Sequence, residues 1–74
     1  MIKKTFDLDI YPLRVIRKAA QDYKHICSIA VFPLGSKATC VFHSGLHDET
    51  LVCREFCNYL IDLIGSGEYN NADS

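Results

Sequence analysis

Polar and apolar residues alternate near the start of the chain, and the apolar residues that follow recur at helical spacing. The alternation covers residues 4–10 and puts Phe6, Leu8 and Ile10 on one side of a strand, because successive strand side chains point to opposite faces. A proline then supplies the φ angle of a first helical position. We therefore predict a strand over residues 4–10 and an amphipathic helix over residues 12–23.

Two apolar runs rich in β-branched residues come next, at residues 26–32 and 37–43. Residues 33–36 separate them and include a proline and a glycine, which are the strongest local markers of a turn. Two strands joined by about four turn residues form a hairpin. The pattern therefore predicts a second and a third strand that pair directly with each other.

A broad apolar stripe near the C-terminus predicts a second helix. The acidic residues at positions 48–49 suit its first turn, because carboxylates interact favourably with the positive end of the helix dipole. Phe56 and Leu60 lie in the middle of the stripe. We expect both to pack in the core against Leu13 and Ile16 of the first helix.

The order strand, helix, strand, strand, helix predicts one α+β domain over residues 1–65. Each element has one apolar side, so we expect two layers: a three-stranded, mainly antiparallel sheet with both helices on one face. Residues 66–74 are predicted to be a disordered polar tail, because they have nothing to bury. A chain of 74 residues has little room for a buried active-site cleft.

The second face of the sheet is left for solvent or for a partner. The residues that we expect on this outward face are Cys27, Ile29, Val31, Thr39 and Val41. This set is unusually apolar for a solvated surface, and exposed apolar patches mark sites where partners bind. The pattern therefore predicts either a homodimer formed through the sheet or the docking of a peptide on a strand edge.

The net charge of −1 is unevenly distributed along the chain. Residues 1–24 hold six basic and three acidic residues, a net charge of +3, and residues 25–74 hold two basic and six acidic residues, a net charge of −4. On the first helix, Arg14, Arg17 and Lys18 share one face and are candidates for contact with an acidic partner. A dedicated nucleic-acid-binding domain is usually far more basic, so no nucleic-acid partner is expected.

No apolar run approaches the roughly 18 residues of a membrane span, and residues 1–7 lack the apolar segment of a signal peptide. We therefore expect a cytoplasmic protein that makes no membrane contact. No glycine-rich phosphate loop occurs, and no local sequence holds a nucleophile beside a base. No catalytic residue is assigned, and we do not expect an enzyme.

The four cysteines are interpreted as structural thiols that fill gaps in the core, because a cytoplasmic location argues against disulfide bonds. None belongs to the Cys-x-x-Cys spacing of a zinc ribbon. We therefore expect no bound metal and no other cofactor. An alternative remains open in which four side chains bind a metal ion, and its ligands are His43, His47, Cys53 and Cys57.

Short motifs stand out in three of the predicted elements. They are Asp-Ile-Tyr-Pro at the end of the first strand, Ala-Ala-Gln-Asp-Tyr at the end of the first helix, and Glu-Phe-x-Asn-x-Leu-x-Asp over residues 55–62. Over residues 5–64 this arrangement resembles the HxsD proteins of His-Xaa-Ser systems. Members of that family accompany radical-SAM-type enzymes and a short peptide in gene clusters. The resemblance implies a small accessory protein of peptide maturation, without a catalytic role of its own.

The resemblance marks Asn58 and Asp62 as the signature polar residues of the last helix. With Arg14, Arg17 and Lys18 they are the residues that we expect to contact a protein or peptide partner, next to the outward sheet face or a free strand edge. In the structural alternative, Asn58 bonds a loop carbonyl and Asp62 caps a helix or pairs with a first-helix arginine.

The predicted function is a non-catalytic accessory or binding module that assists a peptide-modifying enzyme system. The alternative function is a small homodimeric regulatory or interaction domain that uses the basic face of its first helix. The two differ in the partner that each requires. The first needs a modifying enzyme or its peptide, and the second needs a copy of the chain and an acidic ligand.

Overall fold

The computed structural model describes residues 1–66, and its elements follow the predicted order. They are β1 (Ile2–Asp7), α1 (Leu13–Asp22), β2 (Ser28–Leu34), β3 (Lys37–His43) and α2 (Glu49–Gly65). The three strands form one antiparallel sheet in the order β1-β3-β2. The protein is a small α+β domain, as predicted. The predicted tail at residues 66–74 lies outside the described residues, apart from its first residue.

Both helices lie on one face of the sheet, and the central strand β3 shows this most clearly. Ala38, Cys40 and Phe42 are buried, whereas Thr39 and Val41 between them are only half-buried. The buried three belong to the same core as the apolar sides of α1 and α2. The neighbouring strands extend this inner row, since Phe42 lies opposite Ile2 of β1 and Ile29 of β2.

Phe56 of α2 lies at the centre of the core and is 0% exposed. Its ring centroid is 5.2 Å from that of Phe42, 5.6 Å from that of Tyr23 and 6.3 Å from that of Phe6. The first two ring pairs meet edge to face, which is a favourable geometry for aromatic rings. Leu60 is also fully buried, so the prediction that α2 contributes both side chains to the core is confirmed.

The apolar side of α1 packs against the sheet. Its buried residues are Val15, Ile16, Ala19 and Ala20. Leu13 is half-buried against the same core, so it contributes at the margin. Pro12 takes the position before the first helical residue and provides no side-chain hydrogen bond to cap it. The helix therefore begins one residue later than predicted, and the carbonyl of Pro12 accepts hydrogen bonds from the N–H groups of Val15 and Ile16 in the first turn.

The first strand ends earlier than predicted, at Asp7. The backbone carbonyl of Asp7 accepts hydrogen bonds from the N–H groups of Ile10 and Tyr11. Its carboxylate accepts another from the N–H of Asp9, which makes an Asx turn. An alternating pattern does not reveal such a turn. Phe6 is buried as predicted, but the prediction for Ile10 is wrong, since it is 62% exposed.

The second strand starts later than predicted, at Ser28. The N–H groups of Ile26 and Cys27 both donate to the carbonyl of Tyr23, which continues the turn after α1 and keeps these residues out of the sheet. The strand then continues through Pro33 to Leu34, two residues that the sequence pattern assigns to the turn. Proline is tolerated here because β2 is an edge strand.

The register with β3, rather than the point where β2 starts, decides which side chains of β2 face outward. Ile29 and Val31 pair with buried residues of β3, so they face the helices. Cys27 is buried just before the strand. The expectation that these three residues face outward is therefore wrong. Thr39 and Val41 do lie on the outward side of β3, because they alternate with its buried residues.

β2 and β3 are joined by a turn of only two residues, Gly35 and Ser36. Gly35 has a φ angle of +62°, which residues with a side chain rarely adopt. A positive φ at the first turn position alone matches a type II′ turn, whose twist suits a tight hairpin. The predicted turn of four residues is therefore too long, because the positive φ angle of Gly35 allows the chain to reverse direction within two residues.

α2 begins where its acidic residues predict. The carboxylate of Asp48 accepts hydrogen bonds from the N–H groups of Thr50 at 2.9 Å and Leu51 at 3.4 Å, which caps the helix. Glu49 holds the preceding loop, since its carboxylate accepts a hydrogen bond of 2.8 Å from the N–H of Ser44 and contacts the N-terminal amino group. The hydrogen bond from that amino group is the main cause that lowers the pKa of Glu49.

We expect Phe56→Ala to lower the free energy of unfolding by about 3–5 kcal/mol, because removing a fully buried aromatic ring leaves a cavity. Chemical denaturation measures the change. Ile61→Ala is the matched control on the same helix, since Ile61 is 54% exposed. Its loss should change stability by only about 0.5 kcal/mol. An unchanged denaturation midpoint in Phe56→Ala would mean that this side of α2 is not the core.

Candidate interaction surface

Within residues 1–66, nothing covers the sheet face opposite the helices, which we call the open face. The strand register places on it Lys3, Thr5 and Asp7 of β1, Ser28, Ala30, Phe32 and Leu34 of β2, and Lys37, Thr39, Val41 and His43 of β3. Phe32 is 59% exposed and Leu34 is 86% exposed. Large apolar side chains that share one exposed face are typical of a surface that binds a partner.

The middle of the open face is uncharged, and its charges lie towards the ends. The hydroxyl oxygens of Thr5 and Thr39 are 3.1 Å apart and form a hydrogen bond across β1 and β3. At one end, Asp7 lies opposite Lys37. Towards the other end, β1 presents Lys3. The arrangement suits a partner with an apolar centre, whose orientation the terminal charges would set.

Asn58 and Asp62 lie on the exposed side of α2. The buried side of this helix includes Phe56 and Leu60, and helical geometry puts Asn58 directly opposite them, facing away from the sheet. Within residues 1–66 neither polar side chain forms a hydrogen bond or an ion pair. The structural partners considered for them from the sequence are therefore not found in this part of the chain.

Arg14, Arg17 and Lys18 are exposed on α1, on the side away from the sheet. The five polar and charged residues that we predicted to contact a partner therefore lie on the helix side of the domain, whereas the open face, with Thr39 and Val41, lies on the other side. The α2 polar pair therefore does not adjoin the outward sheet face, and its combination with a free strand edge stays a prediction. The domain instead offers two separate surfaces, the helix side with its charged and amide groups and the open face with Phe32 and Leu34 exposed on β2.

A carboxylate that the sequence analysis did not single out connects the two helices. Asp22 accepts hydrogen bonds from the ammonium of Lys18 at 2.7 Å and from the hydroxyl of Tyr59 on α2 at 2.6 Å. The hydrogen bond from Lys18, followed by the one from Tyr59, lowers the pKa of Asp22. The spacing of Lys18 and Asp22 is readable from the sequence, but the contact with Tyr59 depends on how the helices pack.

The four cysteines are free thiols that pack on the inside of the domain. Cys27 and Cys40 are buried, and Cys53 and Cys57 are half-buried against the core. Burial raises the pKa of Cys40 to about 12, and it also raises the pKa of Cys27 and that of Cys57. These three thiols are therefore protonated at neutral pH, and a protonated thiol is a poor nucleophile and a poor metal ligand.

In the described part of the chain, no group of three or more His, Cys, Asp or Glu side chains is placed to hold a metal ion. His43 and His47 are exposed, whereas Cys53 and Cys57 pack against the core, so the alternative ligand set is not brought together. Residues 1–66 also enclose no pocket. Neither α1 nor α2 combines the length and the apolar character that a bilayer-spanning helix requires.

Comparisons of the chain with protein-family models, with curated proteins and with solved structures found no match.

We expect part of the acid sensitivity of the protein to come from Asp22. Its pKa is lower in the folded protein than in the unfolded chain, so the unfolded chain binds this proton more readily. The stabilisation is therefore complete above the unfolded pKa of about 3.9. It is lost as the pH falls through the folded value. Tyr59→Phe removes one donor and should weaken this dependence, with a loss of about 1 kcal/mol at neutral pH.

Urea denaturation at a series of pH values from neutral to strongly acidic measures this effect. Tyr11→Phe is the matched control, because Tyr11 also packs its ring on the core while its hydroxyl bonds no residue within residues 1–66. The control should keep the acid dependence of the original protein. If both variants keep it, the hydrogen bond between Tyr59 and Asp22 does not stabilise the ionised carboxylate.

We expect the purified protein to contain no stoichiometric zinc, and a chelator to leave its circular dichroism unchanged, because burial keeps three of its thiols protonated. A pulse of alkylating reagent, mapped by mass spectrometry, should leave Cys40 unmodified until denaturant is added. About one zinc per chain would instead indicate a structural metal site. Rapid labelling of Cys40 in the native protein would contradict its burial.

Proposed function

We propose that the protein is a non-catalytic binding module that presents its open face to a protein or peptide partner. The observation that supports this best is the exposure of Phe32 and Leu34, since the other large apolar residues of the strands are buried or half-buried. Burying an apolar side chain of this size is worth about 1.5–3 kcal/mol. A partner that covers both side chains would gain that free energy, which makes this face the strongest candidate for binding.

The chemistry of the partner is suggested by the resemblance of residues 5–64 to the HxsD proteins. On this proposal, the partner is a radical-SAM-type enzyme or the short peptide that it modifies. An extended peptide or an apolar enzyme surface would match the uncharged middle of the open face. The proposal places the protein in the cytoplasm, and its four free cysteines fit such a reducing compartment.

The helix side is the second surface available to the same partner. Asn58 and Asp62 offer exposed polar groups on α2, and α1 adds its exposed basic residues. An enzyme large enough to reach around so small a domain would contact both sides. Contacts on the helix side would then orient the partner, because polar and charged groups contribute more to specificity than to affinity.

A second candidate function is a small regulatory domain that binds an acidic ligand on its basic helix. It is supported by the exposure of Arg14, Arg17 and Lys18 on one side of α1. The two candidates differ in their response to salt. Binding to the basic face should weaken as salt screens the charges, whereas binding to the open face should not.

We expect Phe32→Ser to weaken partner binding by about tenfold or more, because a central aromatic residue contributes strongly to an interface. A titration with a radical-SAM-type enzyme of a His-Xaa-Ser system and with its short peptide measures binding, and a thermal melt of the same sample measures folding. Leu46→Ser is the matched control, since Leu46 is another exposed apolar residue but lies in the loop before α2. The Leu46→Ser variant should bind the partner as tightly as the unsubstituted protein does.

The double substitution Asn58→Ala with Asp62→Ala tests the helix side in the same titration. Weaker binding with an intact melting transition would assign the pair to partner contact. Loss of the melting transition would instead mean that the pair is structural. If neither the enzyme nor the peptide binds the unsubstituted protein, the proposed accessory role is wrong.

A further inference from the structure

The two edges of the sheet differ in their chemistry. β1 carries Lys3, Lys4 and Asp7, and charges of this kind keep an edge strand from pairing with other chains. β2, at the other edge, has no charged residue from Ser28 to Leu34. An apolar edge strand without charges is a template for the addition of another strand.

The two-residue turn determines which backbone groups of β2 point outward. Leu34 and Lys37 flank this turn, so they form a hydrogen-bonded pair. Bonded and non-bonded pairs alternate along an antiparallel ladder, so Phe32 and Ala30 also bond to β3. The residues that alternate with these are Ile29, Val31 and Pro33, and their backbone groups point away from β3.

We propose that two copies of the chain pair through β2, in antiparallel orientation, about a two-fold axis at Ala30. In this register Ile29 of each copy lies opposite Val31 of the other, and each such pair exchanges both of its backbone hydrogen bonds. Pro33 falls opposite Cys27 of the second copy, whose N–H already donates within the turn after α1. The residue without an N–H therefore lies at the end of the ladder.

A neighbouring register is less favourable. With the axis at Val31, the ring of Pro33 would meet the carbonyl of Ile29 inside the ladder, where that carbonyl needs a donor. The axis at Ala30 avoids this contact. It also places the small side chains of Ala30 against each other, which permits the close approach of a non-bonded pair.

A second copy fits this edge because two-fold pairing sets each strand against itself. Any charge near the axis would meet a like charge, and directly opposed like charges destabilise a sheet. β2 has none, and the nearest residues charged at neutral pH, Lys24 and Lys37, lie beyond its two ends. The strand is thus complementary to its own copy.

The pairing also covers apolar side chains at the margin of the core. Ile29 and Val31 face the helices but are only half-buried at this edge. In the dimer, Ile29 of each copy packs beside Val31 of the other copy. Edge pairing alone buries less than the roughly 1,200–2,000 Å² of a standard stable interface. We therefore expect a weak dimer that dissociates in the micromolar range.

One interaction opposes the dimer. α1 packs on β2 and exposes Arg14, Arg17 and Lys18, so pairing of the two β2 strands brings two positively charged helices near each other. Such repulsion acts over about a Debye length, roughly 10 Å at 0.1 M salt. Dimerisation should therefore strengthen as the salt concentration rises.

This dimer goes beyond the proposed function because it needs no other protein. It joins two three-stranded sheets into one continuous sheet with all the helices on the same side. The open faces of the two copies then form one surface of twice the width. Since the dimer is measured on the purified chain alone, its failure would leave the proposed partner binding untouched.

Charge substitution at Ala30 tests the axis. Ala30 is exposed on the open face, so Ala30→Glu and Ala30→Lys should both keep the thermal transition. Each variant alone should dimerise about fivefold more weakly or worse, because two like charges then face each other. An equal mixture should recover dimerisation, since opposite charges then face each other. Sedimentation equilibrium of the full chain at about 0.15 M salt measures all three samples.

Thr39→Glu is the control, because it adds the same charge to the open face on the central strand, away from the edge. It should dimerise like the unsubstituted protein. The proposal is overturned if the unsubstituted protein stays monomeric throughout the micromolar range, or if the mixture of Ala30 variants does not recover. Disruption by Thr39→Glu but not by Ala30→Glu would place the contact on the open face and would also overturn it.

Discussion

The contact on which the rest of the structure depends is the burial of Phe56 among three other aromatic rings. Phe6, Phe42 and Tyr23 come from β1, β3 and the end of α1, so one side chain of α2 packs against two of the three strands and against the other helix's C-cap residue. A domain of this size has room for one such centre. Both helices must therefore gather on the same side of the sheet, and residues 1–66 contain no element for the other side.

The polar groups are arranged around this centre. No polar or charged side chain is buried within residues 1–66. Asp22 and Tyr59 meet at the rim between the helices, and the cysteines fill the interior as small apolar groups. The two sides of the domain differ in where their charges lie, since the open face has an uncharged middle with Phe32 exposed, whereas the helix side carries basic residues on α1 and the polar pair on α2. Each surface suits a different class of contact.

The order and type of the elements could be predicted because each element has its own hydrophobic period, and β3 (Lys37–His43) was predicted at its observed bounds. The bounds of β1 and β2 could not, because Asp7 and Tyr23 accept backbone hydrogen bonds that bend the chain. Strand order depends on pairing between distant segments, so the sequence also could not show that β2, which has no charged residue, lies at an edge of the sheet. Helical spacing placed Asn58 on α2, but it carries no information on what Asn58 contacts.

In the strand order β1-β3-β2, β1 pairs with β3 alone, so it joins the sheet only once β3 is present. β2 and β3 are joined by two residues, so their hairpin forms from local contacts. Ile2 pairs with Phe42, and this pairing closes a long loop at a cost in chain entropy. During synthesis β1 leaves the ribosome first and stays unpaired until β3 has followed. A pause before α2 is made would leave the completed sheet exposed without its aromatic centre.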